Sequence, residues 1–255
     1  MFKVILARIR QGHRTIKYPA GLPPEMPERF RGLPAIDYKN CQKECKICIE
    51  ACPTGALFRN EKMHIDLGKC LFCTDCMNAC SKHGISFSSD YRMAVGRRSD
   101  LVMAEDQVTL NLANALSAEL KKLFGRSLKL RQVSAGGCNA CEADVNVLNT
   151  IGWDLGRFGI QFVASPRHAD GLLITGPVTK NMELALKKTY DAVPDPKIVI
   201  ASGACAVSGG PYIGHQQAGN GADAFVPVDL YIPGCPPHPL TILDGLLRML
   251  GRLKK

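Results

Sequence analysis

Residues 128–151 read LKLRQVSAGGCNACEADVNVLNTI. An apolar run at 128–133 is followed by two glycines, a Cys-x-x-Cys pair and a helical pattern at 143–151. Together they predict a strand, a tight loop and a helix. Apolar runs and helical stretches go on alternating, so we expect further strands at 161–164, 172–175, 198–201 and 225–232, and further helices at 181–190 and 240–253. This alternation predicts an α/β fold.

The predicted sheet is open, mostly parallel and flanked by helices, in the flavodoxin-like manner. The link SPRHAD, residues 165–170, conflicts with the simplest parallel arrangement, because it is too short to contain a crossover helix. Either the two strands that it joins are not parallel neighbours, or one of them is misassigned.

Four cysteines that lie far apart in the sequence each follow a predicted strand within a glycine-rich segment: Cys138, Cys141, Cys205 and Cys235. Ligands of open α/β sheets bind beyond the carboxyl ends of the strands, so these segments are expected to bring the four thiolates together. Glycines allow close backbone approach and N–H donation to sulfur. Four buried, unreactive cysteines are the alternative, but they would not explain the glycine-rich strand ends. We predict one closed four-thiolate site.

Eight more cysteines form two regular runs, Cys-x₃-Cys-x₂-Cys-x₃-Cys-Pro from Cys41 and Cys-x₂-Cys-x₂-Cys-x₃-Cys from Cys70, which repeat after about 28 residues. The second spacing matches bacterial two-cluster ferredoxins, in which three thiolates hold one 4Fe-4S cluster and the fourth reaches across to its neighbour. The gap 42–44 is one residue too long, and Ser81 stands where proline is usual. We assign to a first cluster Cys41, Cys45, Cys48 and Cys80, and to a second Cys52, Cys70, Cys73 and Cys76.

Zinc is the competing interpretation, because zinc sites often use two separated Cys-x-x-Cys knuckles. Two runs of four regular cysteines fit that pattern poorly. A zinc-stabilised nucleic-acid-binding protein would also suit the formal net charge of +9. Three clusters of about −2 each would lower that charge to roughly +3, so we expect no nucleic acid partner. The sequence has no GxGxxG and no Walker-type lysine loop, so it does not support a nucleotide site.

We divide the chain into four segments: 1–36, a basic helix and a proline-rich lead-in; 37–100, a small α+β domain with two clusters; 101–127, a linker with a helix at 106–124; and 128–255, the α/β domain. In the first helix, apolar Phe2, Ile5, Leu6 and Ile9 alternate with Lys and Arg. Such a helix either lies on a membrane surface or packs on neighbouring subunits. We expect neither a signal peptide nor a spanning helix, because no apolar stretch is long enough.

The sequence resembles a known family in RQVSAGGCNACE, SPRHADGLLITGPVT, PDPKIVIASGACAVSGG and VPVDLYIPGCPP. These segments are similar to the small subunit of membrane-bound, energy-converting nickel-iron hydrogenases, the group that includes formate hydrogenlyase, and to its homologue in respiratory complex I. The first half, through YPAGLPPEMPERFRG, LGKCLFCTDCMNAC and DYRMAV, is similar to the two-cluster ferredoxin-like subunit of the same complexes. Those subunits are usually separate chains, so their fusion is a departure.

The resemblance implies an oxidoreductase subunit that relays electrons through three 4Fe-4S clusters to or from the nickel-iron site of a partner large subunit. It also implies membrane subunits as partners, ferredoxin or a formate dehydrogenase module as electron donor, and a peripheral place on the cytoplasmic face of the cell membrane. Cys138 and Cys141 form Cys-x-x-Cys, which favours the hydrogenases over the adjacent cysteines of complex I. The alternative is a complex I-like quinone or sulfur reductase without nickel.

A few other residues are candidates for function. Arg167 and His168 match a family motif. They could tune the cluster held by the four dispersed cysteines if they lie near it, but a structural role in the strand link is favoured. We expect Asp229 to be structural. Four histidines have no metal-ligand spacing and are expected in loops or at the surface: His64, His83, His215 and His238.

Overall fold

The structure is a computed structural model that describes residues 2–12, 14–37, 41, 44–105 and 107–253. It opens with helix α1, Phe2–Gln11, which buries none of its residues. In the described residues, no helix is both long and apolar enough to cross a bilayer.

The proline-rich lead-in is fixed to the α/β half of the molecule. The Tyr18 hydroxyl donates to the buried Asp244 carboxylate at 2.8 Å, and Arg157 donates to the Tyr18 carbonyl at 2.7 Å. The backbone N–H of Ile16 donates to the carbonyl of Gly152. The lead-in thus replaces regular secondary structure with hydrogen bonds to distant residues, as its prolines predict.

The two cysteine runs are carried by short elements arranged as a repeat. Strand β1 (Pro34–Ile36) pairs antiparallel with β4 (Ile85–Phe87), and β2 (Leu57–Arg59), β3 (Met63–Asp66) and β5 (Val102–Ala104) form a three-stranded antiparallel sheet. Two one-turn helices, α2 (Ile47–Glu50) and α3 (Asp75–Ala79), each contain the third cysteine of a run, Cys48 and Cys76. Strand β2 follows the first cysteine run and β4 follows the second.

The predicted linker helix at 106–124 is wrong over most of its length. Only Ala118–Phe124, helix α4, is helical, Asp106 lies outside the described residues, and 107–117 contains no helix. The backbone N–H groups of Ala113 and Leu116 donate to Ala94 and Met249 instead of to a helical turn. Contacts with the rest of the protein therefore override the helical leucine pattern of the segment.

The second half contains a five-stranded, fully parallel sheet in the order β10-β9-β8-β6-β7, which confirms the predicted fold. Its helices are α5 to α8, and α6 packs beside the short 3₁₀ turn of the 165–170 link. The bounds of all these elements are: β6 Leu128–Ser134, α5 Ala140–Val147, β7 Ile160–Phe162, β8 Gly171–Thr175, α6 Lys180–Ala192, β9 Ile198–Ser202, α7 Ala204–Ser208, β10 Leu230–Ile232 and α8 Pro239–Met249.

Two predicted elements are shorter than expected. The strand at 225–232 forms only at Leu230–Ile232, because Pro227 has no N–H to donate to a sheet. The helix at 240–253 ends at Met249, and Gly251 follows with a φ of +69°, which terminates it.

The short 165–170 link is explained by strand register. Strands β7 and β8 lie on opposite sides of β6, so they are parallel but not neighbours. Phe162 at the end of β7 and Gly171 at the start of β8 both pair with Leu130. The end of β7 and the start of β8 therefore lie level with the same residue of β6. The link does not have to carry the chain back along the strands, so it needs no crossover helix.

The two faces of the parallel sheet pack against different partners. Leu173, Ile198 and Ile200 belong to a core formed with α5 and α8. On the other face, Ile174 and Val199 share one core with residues from the cysteine-run half, among them Met63, Leu67 and Leu101. The first half is therefore packed directly on the sheet.

Candidate metal centres

The four dispersed cysteines lie at the carboxyl edge of the parallel sheet, as predicted. Cys138 and Cys141 follow β6, with Cys141 in α5; Cys205 lies in α7 after β9; and Cys235 lies between β10 and α8. Strand order reverses between β6 and β8, so this edge is the switch point at which open α/β sheets bind ligands. Cys205 is buried, whereas Cys138 and Cys235 are exposed.

Glycine at position 203 is required by the approach of a cysteine sulfur. Gly203 has a φ of +92°, and a Cβ placed there would lie 2.5 Å from the sulfur of Cys141. That separation is far inside van der Waals contact. The loop after β9 can pass Cys141 only because residue 203 has no side chain.

The four thiols form one electrostatic group. Burial raises the pKa of Cys205 to about 12, and the neighbouring Cys235 and Cys138 add to the effect. Burial, followed by Cys205, Glu142, Cys235 and Cys138, also raises the pKa of Cys141. Thiolates so close together need a positive charge between them. A donor set of four neighbouring thiols suits an iron-sulfur cluster.

The eight remaining cysteines form two further groups, each around one cavity. One cavity is lined by Cys41, Cys45, Cys48 and Cys80. A second is lined by Cys52, Cys70, Cys73 and Cys76. The long gap at 42–44 therefore does not keep Cys41 from its group, although Gln42 and Lys43 themselves lie outside the described residues.

The pKa shifts of these thiols follow the same grouping. Burial raises the pKa of Cys48, and the next contributions come from Cys41, Cys80 and Cys45. The pKa values of Cys70 and Cys76 rise to about 12 and about 11, again by burial, with contributions from Cys52 and Cys73. Metal binding to such thiols requires that they lose their protons.

Backbone N–H groups point at the sulfurs in a repeated way. The N–H of Ala56 donates to the sulfur of Cys52 at 3.2 Å, and the N–H of Gly84 donates to the sulfur of Cys80 at 3.3 Å, four residues downstream in each case. Phe72 donates to Cys70 at 3.3 Å. These bonds stabilise negative sulfur and fit thiolate ligands of a cluster.

The four dispersed cysteines, Cys138, Cys141, Cys205 and Cys235, form the third group, which neighbours the second. After burial and Cys138, the next contribution to the raised pKa of Cys235 comes from Cys73. Leu71 and Phe72 line a cavity together with Gly234 and Cys235. Cys48 of the first group adds to the raised pKa of Cys76 in the second, so the order in space is first, second and third group. Among the described residues, no three His, Cys, Asp or Glu side chains form a site for a single metal ion.

The hypothesis that Arg167 and His168 tune the third group is wrong. Both are exposed and line a surface cavity with Lys129, Asp170 and Asp195, which lie at or beside the amino ends of strands β6, β8 and β9. That edge of the sheet is opposite to the cysteines. The favoured structural role in the strand link fits this position.

The histidines and Asp229 have local roles. Nδ1 of His238 accepts from the N–H of Leu240 and caps α8, a role that spacing did not predict. His64 stacks on Phe58, and Nδ1 of His215 accepts from the N–H of Gln217. Exposed His83 follows the second cysteine run, with a φ of +51°.

Asp229 accepts from the N–H of Val199 at 2.8 Å and joins the starts of β9 and β10.

Sequence reasoning missed two polar residues that contact the cysteine groups. Arg59 Nη2 donates to the sulfur of Cys41 at 3.2 Å. Glu142, buried beside Cys141, accepts from the hydroxyls of Ser134 and Thr175 at 2.6 Å each. Burial by itself would raise the pKa of Glu142, but these hydrogen bonds outweigh it and lower the pKa. Only the 28-residue repeat, which aligns Arg59 with Phe87, could have drawn attention to Arg59.

The segment that carries the four dispersed cysteines matches a known protein family. The family described as NADH ubiquinone oxidoreductase, 20 Kd subunit, matches residues 138–249, from the first to beyond the last of the four dispersed cysteines. The probable membrane-bound hydrogenase subunit mbhJ of Pyrococcus furiosus is 44% identical over 138 residues, covering 54% of this chain and 83% of that protein. The chain belongs to this family. Membership confirms the resemblance of the second half to this small subunit and identifies the chain as an electron-transfer subunit of an oxidoreductase complex.

Two other relatives differ in the chemistry that their names describe. Formate hydrogenlyase subunit 7 of Escherichia coli is 44% identical over 141 residues, 55% of each chain, so this chain spans about half of that relative. An NADH-quinone oxidoreductase subunit of Clostridium beijerinckii is 45% identical over 118 residues, 46% of this chain and 70% of that protein. This chain is thus about equally identical to hydrogenase subunits and to a quinone oxidoreductase subunit.

Proposed function

We propose that this chain binds three 4Fe-4S clusters and relays single electrons through them to or from the nickel-iron site of a partner large subunit, in a membrane-bound hydrogenase complex. The grouping of twelve cysteines into three sets of four carries the proposal. The Cys-x-x-Cys pair at 138 and 141 favours a hydrogenase.

Bound clusters would supply reversible one-electron redox chemistry at the three groups. The chain's own residues hold the sulfurs and stabilise their charge through N–H donors at Ala56, Phe72 and Gly84. Core packing of the first half on the sheet fixes the second group beside the third, at Cys73 and Cys235. Electrons would enter at the first group and leave at the third, or the reverse, and the catalytic metal would lie on the partner chain.

The proposed surroundings follow from the same assignment. Partners would be the nickel-iron large subunit, membrane subunits of the complex, and ferredoxin or a formate dehydrogenase module as electron donor. The place of the chain would be peripheral, on the cytoplasmic face of the cell membrane. The exposure of Cys138 and Cys235 leaves the third group open toward a large subunit.

Anaerobic copurification, followed by assays for nickel and hydrogen evolution, tests this function. We expect a large subunit that contains nickel and a complex that evolves hydrogen from a low-potential donor. A complex I-like quinone or sulfur reductase is the second candidate, favoured by the 45% identity to a quinone oxidoreductase subunit. A copurified large subunit without nickel would overturn the hydrogenase assignment and support that candidate.

A further inference from the structure

Arg59 introduces a difference between the two halves of the cysteine repeat. Strands β2 and β4 each begin five residues after the last cysteine of a run, Cys52 and Cys80. The third residue of the strand is Arg59 in one repeat and Phe87 in the other. Equivalent backbone positions thus carry a guanidinium and a phenyl ring.

Both side chains face a cysteine group, but they present different chemistry. Arg59 Nη2 donates to the sulfur of Cys41, a member of the first group, at 3.2 Å. The ring of Phe87 lines the cavity of the second group and packs near Phe72, with 6.1 Å between ring centroids. The first group therefore has a cationic donor at the position where the second group has an apolar wall.

A cation at hydrogen-bonding distance has a predictable effect on a cluster. Reduction adds one electron from the donor and makes the cluster more negative, while the guanidinium stays protonated throughout. Charge-assisted hydrogen bonds are roughly twice as strong as neutral ones, and they strengthen as the acceptor gains negative charge. The reduced state gains more from Arg59 than the oxidised state does.

We infer that Arg59 is a tuning residue that raises the reduction potential of the first cluster through its hydrogen bond to Cys41. The inference rests on the proposed function, because it requires that Cys41 be a cluster ligand. Arg59 touches no reacting atom of a partner, and its role is to set how readily the first cluster holds an electron.

Redox titrations monitored by electron paramagnetic resonance test the inference on the full chain, purified anaerobically. The first cluster's transition is identified as the one altered in Cys45→Ala. At the wild-type midpoint of that transition, Arg59→Gln should lower the ratio of reduced to oxidised cluster at least threefold. At 59 mV per tenfold change, this corresponds to a fall of about 28 mV in the midpoint potential. Phe87→Leu, the matched control, should leave the first cluster's midpoint unchanged.

Arg59→Lys keeps the charge but loses the planar fork, so we expect a smaller downward shift. If Arg59→Gln fails to retain the first cluster, the midpoint potential of the first cluster in Arg59→Lys decides the test. A variant with full iron content and an unchanged or raised midpoint would overturn the role of Arg59 and leave the proposed function standing. A wild-type chain without iron and sulfide would instead overturn the function, and the inference with it.

Discussion

Gly203 is the residue on which the third cysteine group most directly depends. Its φ of +92° is a left-handed conformation that disfavours a side chain, and Cys141 occupies the space that a Cβ would need. The residue acts by leaving room rather than by making a contact. Its effect should therefore be local to one of the three groups.

Gly203→Ala should displace Cys141 and prevent loading of the third cluster. We expect about eight irons per chain in place of about twelve, because the eight cysteines of the first half are not touched. Iron analysis of protein purified anaerobically checks this. Gly152→Ala is the control, since a Cβ at Gly152 meets nothing within 4 Å. Full iron content in Gly203→Ala would show that the close approach does not position the ligand.

Asp229 is an exposed residue whose carboxylate is partly desolvated where it accepts from the N–H of Val199. Burial raises its pKa, and the hydrogen bond from Val199 only partly opposes this. The folded state then binds the proton more tightly than the unfolded chain. The free energy of unfolding consequently falls as the pH rises from the ordinary value of 3.8 through the raised pKa.

Asp229→Asn should raise the melting temperature slightly at pH 7, because the amide oxygen keeps the bond to Val199 while the partly desolvated charge is removed. Asp229→Ala should lower the stability by about 1–3 kcal/mol, since it leaves the Val199 N–H without its acceptor. Thermal unfolding of both variants at pH 7 checks the order. An asparagine variant less stable than wild type would contradict the burial argument.

At the scale of elements, helix α1 stands apart from the packed protein. It buries no residue, and Phe2, Val4, Ile5 and Ile9 are all more than half exposed. Its charged residues, Lys3, Arg8 and Arg10, are all basic. The helix is therefore available to an anionic membrane surface or to a neighbouring subunit, and it contributes no core packing within the chain.

Deletion of residues 2–11 should leave the melting temperature and the iron content unchanged, while weakening cosedimentation with anionic lipid vesicles. The charge-reversed pair Arg8→Glu and Arg10→Glu should weaken binding to anionic vesicles but not change the melting temperature. Equal cosedimentation of the full and shortened chains would exclude the membrane-surface role and favour packing on a neighbouring subunit.

The sequence predicted elements best where patterns are local. Alternation located all five parallel strands, and glycines placed the cysteine loops at their carboxyl ends. The predicted linker helix failed at 107–117, although the leucines there have helical spacing. The backbone bonds instead to Ala94 and Met249, and the leucines pack in two different cores. The positions of Arg59 and Arg167 depend on how distant elements pair, which no local pattern contains.

At the scale of the whole molecule, the two halves are joined by one core and by specific polar contacts. The hydroxyl of buried Ser208 in α7 donates to the carbonyl of Gly68, next to the second cysteine run, at 2.7 Å. Val95 pairs with Tyr231 of β10. These contacts fix the second cysteine group relative to the third, and the proposed relay between them depends on that separation.

Ser208→Ala should lower the stability by about 1–2 kcal/mol, because it leaves a buried carbonyl of the other half without this donor. Thermal unfolding under anaerobic conditions measures the change. Thr189→Ala, which removes a hydroxyl bonded only within exposed α6, should have almost no effect. Equal melting temperatures for the two variants would contradict a stabilising contact between the halves.

The three-cluster assignment is tested most directly by measuring iron and acid-labile sulfide per chain after anaerobic purification. We predict about twelve of each, from twelve cysteines in three groups. Zinc without sulfide would contradict the account, and about eight irons in the wild-type chain would contradict the third cluster.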